Sequence, residues 1–417
     1  MSWRTEALGD LFLVGSSKRV LKSQWQTSGV PFYRGREVTK LATNGCVDNE
    51  LFISEELYAD FEKRFGVPKA GDIVITAIGT IGNAYIVQPH DRFYFKDASV
   101  LWLSKKREVE SRFVNYWLQS PRFRSQLDKA NGATVDTLTV KKLKSVQIDF
   151  PPLPEQKRIV VILDEAFAGI DTAVANTEKN LDNARELFES YLDSVFQAER
   201  PGWDRTTLGD LYEIGSSKRV HKKDWRENGV PFYRAREIVK LAENGAVDNE
   251  LFISERRFQE YGEKTGVPQT DDLMVTAVGT LGICYVVQPA DRFYFKDASV
   301  LWFRPKRAIN ANFIQYAFRS PLVERQTTDS QGATVGTLTI SRAKTISISI
   351  PYLELQEKIA KSLREVELEV DRLSAVQRRK LVALRELKES LLQKAFSGEL
   401  PAGKAASDAM RQVEEIA

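Results

Sequence analysis

Histidine is almost absent from this chain. His90 and His221 are the only two in 417 residues, which leaves little room for imidazole acid–base chemistry or a histidine-rich metal site. Cysteine is as scarce: Cys46 and Cys284 cannot build a disulfide framework or a zinc site, and they are expected to be reduced thiols in an intracellular setting. No apolar run approaches the roughly 20 residues of a membrane span, and the opening residues lack the basic-then-apolar pattern of an export signal. A soluble cytoplasmic protein is the expectation. An excess of charge of one sign is also missing. Sixty Lys and Arg stand against 57 Asp and Glu, so any contact with nucleic acid must come from local basic clusters.

What the chain has instead is itself, twice. Gly15 to Val20 returns as Gly215 to Val220, Val47 to Glu55 as Val247 to Glu255, and Asp91 to Trp102 as Asp291 to Trp302, always 200 residues apart and without a gap. About half of the positions in the first three-quarters of each copy are identical. Solenoid repeats have units of about 20–50 residues, so each copy here is the size of a domain or more. A chain that presents one surface twice suits a ligand with twofold or pseudo-twofold symmetry, such as duplex DNA carrying an inverted repeat.

Each copy divides into a head and a rod. In the head, the apolar runs Asp72–Ile78 and Ala84–Val87 flank the turn Gly79–Gly82 and predict a strand hairpin, while Ser54–Phe65 and Arg112–Leu127 carry helical spacing. The rods open at Pro151–Gln156 and Pro351–Gln356, where Pro154 with Glu155 suits a first helical turn. Ile159, Leu163, Ala166, Ile170 and Ala173 alternate four- and three-residue steps, as do Ile359, Leu363, Val366, Val370 and Leu373. That is a coiled-coil seam, continued by Leu181, Ala184, Phe188, Tyr191 and Val195 and by Leu381, Leu384, Leu387 and Leu391. Helices of this length, about 65 Å at 1.5 Å per residue, are expected to pack on each other antiparallel, giving an internal pseudo-twofold tandem repeat. The expected fold class is α/β (α+β): a mixed head over 1–150, a long helix over 151–200, a second head over 201–350, a second long helix over 351–400 and a flexible tail over 401–417.

A duplicated enzyme should keep its catalytic groups in both copies. Histidine fails that test, because His90 stands opposite Ala290 and His221 opposite Leu21. The carboxylate pairs Glu37 and Glu237, Asp72 and Asp272, and Asp97 and Asp297 do repeat, but none belongs to a recognisable cluster; Asp72 is expected to cap a turn and Asp97 to form an intramolecular pair or turn. The G-x-x-x-x-G-K-[ST] phosphate loop, the dinucleotide fingerprint and the Asn/Asp-Pro-Pro-aromatic motif are missing. No catalytic, cofactor-binding or metal-binding residue is therefore assigned. What repeats is basic, aromatic and hydroxyl. Ser16, Ser17, Lys18 and Arg19 follow a glycine, and Ser216, Ser217, Lys218 and Arg219 match them, an arrangement suited to phosphate contact. Tyr33, Arg34, Arg36 and Glu37 return as Tyr233, Arg234, Arg236 and Glu237; on a strand the two arginines would share a face, with Glu37 either orienting an arginine or accepting from cytosine. Thr80, Lys96 and Thr134, with Thr280, Lys296 and Thr334, complete the candidate DNA-binding set.

The head–rod–head–rod order resembles the specificity subunit of type I restriction–modification systems. The resemblance rests on Leu8-Gly9-Asp10, on Gly71–Thr76 followed by Gly79–Gly82, on Gly132-Ala133-Thr134 with Leu138, and above all on Pro151–Ile159. The second copy departs from the last motif at Tyr352 and Leu355. The resemblance implies that each head is a target-recognition domain reading one half of a bipartite DNA sequence, with the paired helices setting the spacer. It also implies two modification subunits bringing S-adenosylmethionine, and restriction subunits using ATP and magnesium. A self-sufficient nuclease or methyltransferase, and a coiled-coil scaffold with ligand-binding heads, are the alternatives.

Overall fold

The computed structural model describes residues 3–127, 137–197, 201–328 and 336–400. It separates into two compact units, Met1–Glu178 with Arg378–Ala417, and Lys179–Gln377. Each unit thus holds one head, the near part of that head's neighbouring rod and a stretch of the other rod.

In the first unit the chain runs β1 (Arg4–Ala7), α1 (Leu8–Leu11), β2 (Phe12–Gly15), β3 (Val30–Tyr33), α2 (Gly35–Asn44), β4 (Phe52–Ile53), α3 (Glu55–Phe65), β5 (Ile73–Thr76), β6 (Ala84–Ile86), β7 (Tyr94–Phe95), β8 (Val100–Lys105), α4 (Ser111–Gln119), α5 (Pro121–Leu127), α6 (Val140–Ser145), β9 (Gln147–Phe150) and α7 (Leu153–Val195). An antiparallel sheet in the order β2-β8-β5-β6 forms the centre, a smaller sheet β4-β3-β7 lies beside it, and β1 pairs with β9. The apolar run predicted as a hairpin arm is β5, buried along its whole length. Ile73 and Ile75 enter one core with α1 and α4, whereas Val74 enters another with Val38 and Leu41 of α2. A strand covered on both faces has no reason to alternate polar and apolar residues.

The helix expected over Arg112–Leu127 is two helices. Ser120, in extended conformation, caps α4, and Pro121, which cannot donate to a helical carbonyl, starts α5.

The rods are long single helices of 43 residues (Leu153–Val195) and 45 residues (Leu353–Ser397). The second ends at Gly398, whose φ of +80° is the left-handed turn that glycine tolerates. Within the first unit Asp171 bonds Lys388, and Arg158 reaches the Leu400 carbonyl, so the two rod segments run antiparallel. Ile159, Leu163, Ala166, Ile170 and Ala173 are all buried there, together with Leu384, Leu391, Leu392, Ala395 and Phe396. The same cluster contains Phe113 and Trp117 of α4, so head and rods share one core rather than the rods burying only each other. The second unit repeats the plan with Phe188, Leu192, Val195 and Phe196 against Leu363, Phe313 and Ile314, and Tyr191 bonds Ser362 at 3.1 Å. The predicted seam of the second rod is less regular: Leu363 is buried, Val366 and Val370 half-buried, and Leu373 exposed. Among the described residues no helix is long and apolar enough to cross a membrane.

Candidate nucleic-acid interface

Tyr33 closes β3, and the chain then turns into a helix rather than continuing as a strand. Arg34 is the N-cap of α2, and Glu37 in its first turn accepts the Arg34 backbone N–H at 2.9 Å, the return contact of a capping box. Arg34 and Arg36 therefore do not share a strand face; one buried carboxylate brings them together. Arg34 donates to both Glu37 oxygens, from Nε at 3.1 Å and from Nη2 at 2.9 Å, and Arg36 Nε reaches Oε1 at 2.5 Å. Glu50 adds a second carboxylate from outside, 2.5 Å from Arg36 Nη2. The second head repeats the cluster in Arg234, Arg236, Glu237 and Glu250, with each of these distances the same to 0.1 Å. With both oxygens taken by arginine, Glu37 orients arginines and has no free lone pair aimed at a cytosine.

The serines expected at a phosphate are turned inward. Ser17 Oγ donates to the Phe95 carbonyl at 2.6 Å, and Ser16 Oγ donates to Val100 while accepting from Ala98, which ties the loop after β2 onto β7 and β8. Ser216 and Ser217 do the same. Phe95 pairs with Tyr33 of β3 and Val100 with Thr76 of β5, and the two serine hydroxyls give the carbonyls of Phe95 and Val100 and the N–H of Ala98 side-chain partners at the ends of those strands. The adjacent cations stay outside. Arg19, Lys96, Lys218, Arg219 and Lys296 are exposed and have no ion pair among the described residues, while Lys18 Nζ lies 5.6 Å from the Phe65 ring.

These pieces meet at one edge of the head. Lys96 N–H donates to the Tyr33 carbonyl at 2.8 Å, which sets Lys96 beside the start of α2. The open side of Gly35 faces the Ser99 and Ile78 carbonyls at 3.6 and 3.9 Å from where a methyl would sit, and Ala235 places that methyl in the second head. Thr80 is exposed in the adjoining turn, its carbonyl bonded to Thr76 Oγ1 at 2.5 Å, and Thr280 repeats it. Ala98 and Ala298 sit in the left-handed region at φ +61° and +60°, where a non-glycine residue is strained. Thr134 and Thr334 lie outside the described residues. Asp72 is held away from this edge by Trp102 Nε1 at 2.9 Å and Lys69 N at 3.0 Å, and no group of three or more potential metal ligands forms among the described residues. Sequence reasoning missed Glu50 and Ala98; both lie in stretches identical between the copies, but only folding brings them to this edge.

The whole duplicated pattern, residues 2–181 and again 201–381, matches the type I restriction modification DNA specificity domain. The chain belongs to that family. Its role is DNA specificity within a restriction–modification system, and members of this kind recognise DNA without performing the catalysis. A Haemophilus influenzae protein assigned as a type I restriction enzyme specificity subunit is 34% identical over 192 residues, 44% of this chain and 47% of that one, so this match spans about half of each. The EcoBI specificity subunit of Escherichia coli is 22% identical over 78% of this chain and 76% of its own. Among solved structures, a chain from a type I restriction–modification system superposes with a TM-score of 0.75 at 19% identity, covering 96% of this chain and 98% of that one. The HsdS subunit of Thermoanaerobacter tengcongensis gives 0.59 at 18% identity, over 96% of this chain and 97% of its own. Both share the fold.

Within this family frame the carboxylate of the arginine cluster has a measurable signature. Burial works to raise the Glu37 pKa, but the hydrogen bonds from Arg34 and Arg36 outweigh it and hold the group below the ordinary 4.5; Glu237 is held down in the same way. A carboxyl whose pKa is lower in the folded state adds stability that is complete above its unfolded value and is lost as pH falls through its folded value. Glu37→Gln combined with Glu237→Gln is therefore expected to flatten the decline in urea midpoint below about pH 4.5. An acid limb as steep in the double variant as in the parent would count against the assignment.

Proposed function

We propose that each head reads one half of a bipartite duplex target, that the two halves are the same or nearly the same word on opposite strands, and that the paired rods fix the spacer and dock two modification subunits. The observation that carries this reading is the repetition, bond for bond, of the arginine–carboxylate cluster in both heads, with exposed cations at matching positions beside it. The segments 1–150 and 201–350 act as target-recognition domains and 151–200 and 351–400 as spacer helices. Arg19, Lys96, Arg219 and Lys296 supply phosphate contacts, with Lys18 and Lys218 beside them, and the serines shape the loop that presents them. S-adenosylmethionine belongs to the modification subunits, and ATP with magnesium to the restriction subunits. All of these act in the cytoplasm, where the DNA is.

The heads differ where a half-site could differ. Asn83 Nδ2 donates to Thr39 Oγ1 at 3.1 Å beside the Gly79–Gly82 turn, and the second head replaces the pair by Ile283 and Val239. Mapping of methylated adenines in cells expressing this chain with its modification subunit, against cells lacking the chain, is expected to show a new bipartite motif with matching inverted halves. Two unlike halves would remove the equivalence of the heads. No new methylation from an assembled and active modification subunit would remove the recognition role.

A further inference from the structure

We infer that Glu37 and Glu237 are positioning residues that aim Arg34 and Arg234 at guanine, so that both half-sites carry a G·C pair at the same place. The inference rests on the DNA-reading role proposed above and adds to it a letter and a device. Glu37 occupies Nε and one proton of Nη2 on Arg34. The remaining edge, Nη1 with the second proton of Nη2, makes no hydrogen bond among the described residues. The nearer Glu50 oxygen is 3.9 Å from Nη2, beyond hydrogen-bond range, so that edge stays open. Two adjacent donors match two adjacent acceptors. In the major groove guanine presents such a pair at O6 and N7, whereas adenine offers one acceptor and one donor.

The cost of ordering a long side chain is largely met before binding, because a carboxylate with only 3% of its side chain exposed grips a guanidinium that is itself 25% exposed. Helix capping does not account for the arrangement, since the Arg34 backbone N–H alone would make that cap. Charge argues in the same direction. Two guanidinium groups against two carboxylates, Glu37 and Glu50, leave the cluster formally neutral, so it attracts phosphate weakly while its outward N–H groups keep their direction. The unpaired cations at Arg19 and Lys96 are better placed to neutralise the backbone. Letter reading and phosphate holding are thus divided between neighbouring residues.

The test uses this chain assembled with its modification subunit and a library of randomised duplex targets, with methylation rate read for every sequence at several salt concentrations. The parent complex is expected to require a G·C pair at matching positions of the two halves. Arg34→Ala is expected to reduce discrimination there roughly 10- to 100-fold in one half only, leaving the salt slope unchanged, and Arg234→Ala to do so in the other half. Glu37→Gln should lose the same letter, with Arg34→Lys unable to restore it, an effect that a merely structural carboxylate would not confine to one base position. By contrast Lys96→Ala should slow methylation on all sequences and lower the salt slope by about one. A parent motif without matching G·C pairs overturns the inference and leaves the recognition role standing. So does an Arg34→Ala variant that weakens every sequence alike. If the assembled complex, with an active modification subunit, selects no motif, the recognition role falls, and this inference with it.

Discussion

Alanine at position 29 is expected to cost the first head about 3–5 kcal/mol, among the largest effects available from a single methyl group. Gly29 holds φ at +120°, a region open in practice only to glycine, and a β-carbon there would collide with the Ile53 carbonyl oxygen. That oxygen cannot withdraw, because Ile53 sits in β4 opposite Val30 of β3, and the same pair fills the small core with Phe32 and Tyr94. Strain in the backbone and a clash with fixed backbone therefore add. Gly229, at φ +124° against Ile253, predicts the same loss in the second head. Gly45→Ala is the control. It also has positive φ, at +72°, but nothing lies within 4 Å of the new carbon, so it should cost only about 1 kcal/mol. Equal urea midpoints for Gly29→Ala and Gly45→Ala would mean that β3 and β4 are not packed as described.

Phe396→Ala is the second large effect, expected at about 3–5 kcal/mol. Phe396 lies near the end of the second rod and is 1% exposed, and its ring meets Phe113 of α4 edge-on at 5.2 Å. Phe113 in turn contacts Trp3 and Phe150, so truncation opens a void at the centre of the first unit's core. The loss should be local. Amides of Phe113–Leu118 are expected to exchange faster with solvent, whereas those of Phe313–Phe318, where Phe313 packs against Phe196 and Trp203, should keep their protection. Loss of protection in both heads to the same extent would refute the division into separate cores.

Much of this architecture was legible because the duplication supplied an internal comparison. The heads, the rods and the hairpin of β5 with β6 came from periodicity and turn residues. The errors have identifiable causes. Only on a strand would Arg34 and Arg36 share a face, and the apolar run of β3 leads up to them, but α2 begins at Gly35 and ends that condition. The heptad reading of the rods assumed a narrow seam, whereas α7 also packs under its own head, which buries Val160, Ile162 and Phe167 outside the alternating set. Where no such cover exists the pattern misleads in the other direction: Leu373 is 50% exposed and Ser374 beside it is buried. At the candidate interface the sequence names residues but not the partners of their side chains. Whether a serine hydroxyl faces outward or toward the Phe95 carbonyl depends on a strand 78 residues away, and the Glu50 contact to Arg36 spans 14 residues, from the first turn of α2 to the irregular chain beyond its end.

The membership of the first core has a consequence for the order of events at the ribosome. The second unit is continuous, Lys179–Gln377, and all of its parts exist once that stretch has emerged. The first unit needs Leu384 to Phe396 to cover Phe113 and the inner face of α7. At about 5–20 residues per second, the time between synthesis of α7 and arrival of those residues is roughly 10–40 s. For that interval the newborn first head carries an uncovered strip of leucine-sized apolar surface, so the part of the protein made first is the last to be finished.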